Sequence, residues 1–339
     1  MRTLFWLVVL IGAGAVFAFG FFMSAIDRPG PLQQDRAFMV ERGATGASIA
    51  TALEEQGVIN DELLFRLANR LAGNKPVQAG EYAIPARASV GDIVEMMTSG
   101  AALQHALTFP EGITIRAAMK IIEESDVLTG DMPQTPPEGS ILPDTYHVQR
   151  GMSRAALLQL MRDAHDAAVA EIWERRQPNL PLATPADLVN LASIVERETG
   201  IGEERPMVAA VFTNRLRIPM RLETDPTIIY GVCLRHPDRC NDGRLVNAQG
   251  QRRTIRQSEI ELNTGYNTYR IDGLPPTPIS NPGRAALEAT ATPANSPALF
   301  FVADGTGGHI FTNTLAEHNA AVARWRVIER ERLAEQRSK

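Results

Sequence analysis

The chain has little of several things, and each shortage closes off a class of function. It has two cysteines in 339 residues, so covalent bracing is confined to one pair. It has no excess of basic charge: the net charge is -5 and the pI about 5.8, which excludes a nucleic-acid partner. His309 and His318 do not stand at metal-ligand spacing and read as structural, so neither a metal nor another cofactor is expected. The loop Gly305-Thr306-Gly307-Gly308 lacks the lysine and the flanking helix of a phosphate-binding loop and reads as a hairpin turn. A second long apolar run is missing after Ile26. Disorder is excluded as well, because a hydrophobic content of 44% supports packed cores.

What is present begins with an anchor. Leu4 to Met23 carry no charge, and roughly 20 apolar residues are enough to cross a bilayer as a helix. Arg2 precedes the run and Asp27, Arg28 and Pro29 follow it. A cleavable signal has a shorter apolar region of about 7–15 residues, so a retained anchor is expected, although Val16-Phe17-Ala18 would serve as a cleavage site. The flanking charge bias is weak. An anchor this close to the amino terminus acts as a signal-anchor, which puts the body outside and the N-terminus in the cytoplasm. The rest of the chain has room for about two domains at roughly 100–200 residues each. Cys233 and Cys240 allow three readings. In an oxidising compartment they are a local disulfide. A zinc site with His236 lacks a fourth ligand nearby, and two free thiols fit a cytosolic chain. The outside orientation favours the disulfide.

Pro29, Gly30 and Pro31 mark a linker over 27–36. A strand–turn–helix pattern then occurs three times, from Phe38, from Glu81 and from Ala106, each with a Ser or Thr before apolar residues three and four apart. This reads as a small α+β module over 37–130, with an added helix from Asp61 to Leu71. The Pro- and Gly-rich stretch from Thr129 to Gly139 marks a boundary, and 131–339 forms the second, mixed α+β domain. Its expected helices run from Ala155 to Gln177, from Pro185 with Thr184 as N-cap, from Arg205 to Leu216, and from Leu315 to the end. Between the last two the chain reads mostly as strands and loops. Leu299 to Ala303 and His309 to Phe311 form the arms of a hairpin.

The chemistry points to the helix ending Leu191-Ala192-Ser193-Ile194-Val195-Glu196-Arg197-Glu198-Thr199. A general acid for glycoside cleavage needs a raised pKa, and partial burial supplies it. Glu196 lies beside Ala192 and Glu198 beside Leu191, at opposite edges of one apolar stripe. Spacing does not choose between them, and a solvated helix end is the commoner reading of such a pair. Asp225, before Pro226, is either a turn and cap residue or a second acid near the cleft. Tyr266, Asn267 and Tyr269 have the aromatic faces and amide donors that sugars need, or they form a tyrosine-rich strand edge.

Seven stretches taken together resemble one family, the YceG-like endolytic murein transglycosylases. They are Leu142-Pro143-Asp144-Thr145-Tyr146, the Ala192–Thr199 helix end, Val211 to Leu216, Met220 to Gly231, Tyr266 to Tyr269, Gly273 to Pro276, and Phe301 to Gly305. The resemblance implies a single-span inner-membrane protein with a periplasmic body. Residues 1–26 would be the cytoplasmic tip and transmembrane anchor, 37–130 a LysM-like module that recognises peptidoglycan, and 131–339 the catalytic domain. It assigns the catalytic acid to Glu196; Asn214, Asp225, Tyr266, Asn267 and Tyr269, which lie in the matching stretches, are the candidate substrate contacts. The implied reaction cleaves the MurNAc–GlcNAc bond inside a glycan strand without water and leaves a 1,6-anhydro end, terminating strand elongation. No metal or second carboxylate takes part. The implied partners are peptidoglycan strands, the inner membrane and cell-wall synthases. The segment from Cys233 to Arg256 is longer than the family's usual connection and reads as an insertion at the cleft rim. A membrane-anchored peptidoglycan-binding scaffold without turnover is the competing function, and a conventional hydrolase a third. The ends of digested strands separate all three.

Overall fold

The computed structural model describes residues 2–241 and 243–338. It is a mixed α+β protein whose chain divides into two compact units, one of residues 1–106 with 147–152, the other of 107–146 with 153–339.

The first unit opens with α1 (Arg2–Ile26). Its Phe5–Ile26 stretch is long and apolar enough to cross a membrane, and only its end meets the unit's core, through Phe22 and the buried Ile26. Then follow β1 (Arg36–Val40), α2 (Gly46–Glu55), α3 (Glu62–Leu71), β2 (Gly80–Ile84) and α4 (Val90–Ser99). β1 and β2 pair antiparallel, with Phe38 opposite Tyr82. α2, α3 and α4 each start where a short polar side chain meets the free amides of the first turn. Thr45 and Ser89 form reciprocal capping boxes with Ser48 and Asp92, and Asp61 accepts from Leu63 and Leu64. Phe38, Leu53, Phe65, Tyr82, Ile84, Ile93 and Met97 close the core. Sequence patterning placed three strand–turn–helix repeats in one module. The first two interlock here, since the partner of β1 is the strand of the next repeat. The third, β3 (His105–Thr108) and α5 (Ile115–Glu124), runs into the second unit. β3 pairs with β4 (Thr145–Val148).

The second unit packs α6 (Arg154–Glu174), α7 (Pro185–Glu198) and α8 (Arg205–Arg217) together. Thr184 caps α7 in a capping box with Asp187, and Pro185 sits in its first turn. Residues 188 to 195 of α7 are all buried, so this helix is the axis of the core, with Leu188, Leu191, Ile194, Val208 and Phe212 around it. The stretch read as strands and loops holds three helices instead: α9 (Asp225–Arg235), α10 (Gln257–Ile260) and α11 (Arg284–Ala291). Asp225-Pro226 reads as a turn, but a proline in the first turn is also how a helix begins, and α9 begins there. Cys233, in the last turn of α9, and Cys240, just beyond the helix, form a disulfide with Cα atoms 5.5 Å apart. It lies beside the short pair β5 (Cys240–Asn241) and β6 (Arg244–Leu245). β7 (Phe300–Ala303) and β8 (His309–Thr312) make the expected hairpin, and α12 (Leu315–Ser338) follows.

Candidate active site

α7 carries its carboxylates to the edge of the core, and the last turn sends them to different surroundings. The Glu196 side chain is only 5% exposed. Its Oε1 accepts from Arg205 Nη2 at 3.1 Å and its Oε2 from the backbone N–H of Gly283 at 3.0 Å. The same Arg205 nitrogen donates to Glu111 Oε2 at 3.0 Å. Arg205 is the first residue of α8, Gly283 the residue before α11, and Glu111 lies in the turn after β3. Arg205 Nε is buried and has no hydrogen-bond partner among the described residues. Burial pushes the Glu196 carboxyl above its ordinary range. The Gly283 amide and the Arg205 charge pull it back, and the nearby Glu111 charge pushes it up again. The result is a carboxyl that holds a proton more firmly than a surface glutamate, yet has two donors waiting for its anion.

Two glycines shape this spot. Gly112 has φ of +73°, and a Cβ there would stand 3.2 Å from Glu196 Cγ. A Cβ on Gly283 would overlap the Glu111 carboxylate. Ser193, one turn before Arg197 on α7, is fully buried. It donates to Asn190 O at 2.7 Å and accepts from Ile279 N at 3.0 Å. It thereby ties α7 to the 279–283 segment that brings Gly283 to Glu196.

Glu198 faces elsewhere. The Thr224 hydroxyl donates to it, and burial, with the Asp225 charge, lifts it to about 7. Tyr269 donates its hydroxyl to Asp225 Oδ1 at 3.0 Å, so Asp225 and Tyr269 gather beside Glu198 rather than Glu196. Tyr266 packs edge-on to Tyr230 at 5.0 Å, and its hydroxyl meets Thr277 Oγ1 at 2.9 Å. Two expected contact residues are committed to the fold. Asn267 is fully buried: its amide donates to Ile260 O and Leu262 O, and its oxygen accepts from Tyr269 N. Asn214 donates to Ser296 O and Ala298 O and accepts from Arg217. The reason is the same for both: a side-chain amide in a loop-rich region is consumed by backbone groups that would otherwise go unpaired.

Three residues of the site escaped the sequence. Glu111 and Arg205 join Glu196 only through tertiary contact. Glu138 is a third carboxyl raised by burial, to about 7. It accepts from Ile115 N at 2.7 Å and Asn281 Nδ2 at 2.9 Å, with Gly139 N–H and the Tyr230 hydroxyl also bonded to it. Its setting, Pro136-Pro137-Glu138-Gly139, signals only a turn. No group of metal-ligating side chains occurs among the described residues.

Comparison with known proteins bears on the family of the whole chain. Residues 38–324 match the model of the YceG-like family. An endolytic murein transglycosylase of Bacillus subtilis (strain 168) is 27% identical over 83% of this chain and 82% of its own. One from Streptococcus pneumoniae (strain D39) is 24% identical over 84% of this chain, which spans 57% of that longer protein. A YceG-like protein of Listeria monocytogenes, solved at 2.6 Å, is 27% identical, with 85% of this chain and 98% of that one covered and a TM-score of 0.48.

Proposed function

The chain belongs to the YceG-like family, and we propose on that premise that it is an endolytic murein transglycosylase whose single acid and base is Glu196. The observation that carries the assignment is the setting of that carboxyl: 5% exposed, raised by burial, and facing one cation and one backbone amide. Protonated Glu196 gives its proton to the oxygen between MurNAc and GlcNAc as the C–O bond breaks. Arg205 and Gly283 N–H then hold the carboxylate that remains, and cost no reorganisation because they are already in place. The carboxylate takes the proton of the MurNAc 6-hydroxyl while that oxygen closes on C1, giving the 1,6-anhydro end. The nucleophile belongs to the substrate, so orientation supplies much of the rate. Asp225, Tyr266 and Tyr269 contact the strand farther along.

We assign α1 to the inner membrane, with the N-terminus cytoplasmic and the body periplasmic. The Cys233–Cys240 disulfide supports an oxidising compartment. The first unit's paired strands and helices form the LysM-like part that holds glycan, and cell-wall synthases supply the strand that is cut.

Digestion of purified glycan strands with the full chain in detergent, read by mass spectrometry of the ends, tests the proposal. Anhydro ends are expected, and Glu196→Gln should lower their formation by about 10²–10⁴-fold while strands still bind. Reducing ends would indicate hydrolysis. Uncut strands that nevertheless bind would indicate a scaffold. Undiminished cleavage by Glu196→Gln would move the acid to Glu198 or Asp225.

A further inference from the structure

A cavity of about 750 Å³ opens in the second unit between α5, the 132–138 stretch and the disulfide-closed loop after α9. Its size is that of a small-ligand site, roughly 300–1,000 Å³. Its walls combine three chemistries. Ile115, Ala117, Met119 and Leu234 are apolar, Arg116 and Lys120 are cationic, and Glu123 and Glu138 are acidic. Arg116, Lys120 and Glu123 are exposed, whereas Glu138 sits deeper among its four donors.

The cavity is wired to the proposed acid. Arg197 Nη1 donates to Gly112 O at 3.3 Å, and Gly112 lies against Glu196 with no room for a side chain between them. Arg197 Nη2 donates to Gly243 O at 3.2 Å, and Gly243 is part of the cavity wall, against Thr114. Asn281 bonds Glu138 two residues before the Gly283 amide that holds Glu196. The cavity wall and Glu196 therefore share Arg197 and the 281–283 segment as neighbours.

We propose that this cavity receives the peptide stem branching from the MurNAc residue at the cleavage site, an inference that rests on the transglycosylase reading. Uncharged sugar rings do not call for fixed charges of both signs. A short peptide with free carboxylates, an ammonium group and alanine methyls does: carboxylates meet Lys120 and Arg116, the ammonium meets Glu123, and the methyls meet the apolar wall.

The test uses the full chain in detergent on two substrates, glycan strands bearing stems and the same strands stripped by an amidase. The reported quantity is the ratio of kcat/KM between them. Wild type should prefer stem-bearing strands by about tenfold or more, the effect of one or two charge-assisted hydrogen bonds. Lys120→Glu and Leu234→Asp, both at exposed positions, should bring the ratio toward one. A wild-type ratio near one, or variants that keep the wild-type ratio, would overturn the proposal. Calorimetric titration with the free tripeptide L-Ala–γ-D-Glu–diaminopimelate separates it from the catalytic reading. Saturable binding weakened about tenfold or more by either variant supports the cavity even if no strand is cut. No saturable binding counts against it even if anhydro ends form.

Discussion

Replacing Arg205 by methionine takes a guanidinium away from Glu196 while keeping much of the side chain's bulk. In the wild type the two groups are 3.1 Å apart, and Arg205 and Glu196 are 15% and 5% exposed, so solvent screens them poorly. An opposite charge this close lowers a carboxyl pKa by about 1–3 units. Arg205 also serves Glu111, which argues for the lower half of that range, about 1–2 units. The loss also leaves the Glu111 charge uncompensated, and that charge already pushes Glu196 up, so both effects have the same sign. Glu196 must hold its proton to act as the acid, and activity is lost as pH rises through its pKa. In Arg205→Met that loss should therefore move to higher pH by about 1–2 units. Maximal activity should fall as well, because the carboxylate left after proton donation loses a partner: about 1.4–2.7 kcal/mol, or 10–100-fold at 1.36 kcal/mol per unit. The assay is anhydro-end formation by the full chain between pH 4 and 9, with Arg205→Lys as the charge-keeping control. An alkaline limb that stays in place, or moves to lower pH, would refute this account of how Glu196 is tuned.

Gly283→Ala should fold, because the residue's φ of -72° suits alanine, but its methyl displaces the Glu111 carboxylate. That removes a like charge, so the alkaline limb should move down, opposite in sign to Arg205→Met. Gly112→Ala forces a Cβ into left-handed backbone beside Glu196 and should lose about 1–3 kcal/mol of stability, read by urea denaturation, along with activity. Ser193→Ala leaves the buried Ile279 N–H unpaired and should cost about 1–3 kcal/mol by the same measurement. Glu198 sits at about 7 in the fold against an ordinary 4.5. Between those values the folded chain keeps a proton that the unfolded chain gives up, so stability should fall as pH rises from 4.5 to 7. The fall should be at most about 3 kcal/mol. Glu198→Gln should flatten urea midpoints compared at pH 5 and pH 8.

Local signals were legible wherever one segment answers to its own chemistry. Thr184-Pro185 opens α7 because a hydroxyl and a proline suit a first turn. The Gly305–Gly308 hairpin follows from glycines between two apolar runs. The apolar stretch before Ile26 is a membrane-length helix on length alone. Strand pairing was not legible in this way. β1 meets a strand some forty residues later, and a strand's alternation says which face is buried but not which partner it takes. Asp225-Pro226 misled because the same two residues suit a turn and a helix start, and only packing of Ile228 and Val232 into a small core decides for the helix.

The sequence by itself determined that two carboxylates stand at the end of a helix with an apolar stripe, since periodicity and capping are set by neighbours along the chain. The tertiary structure decided how they differ. Arg205, Gly283 and Glu111 reach Glu196, and Thr224 reaches Glu198, across long stretches of chain. Desolvation and opposing charge depend on distance in space, which no spacing along the sequence encodes.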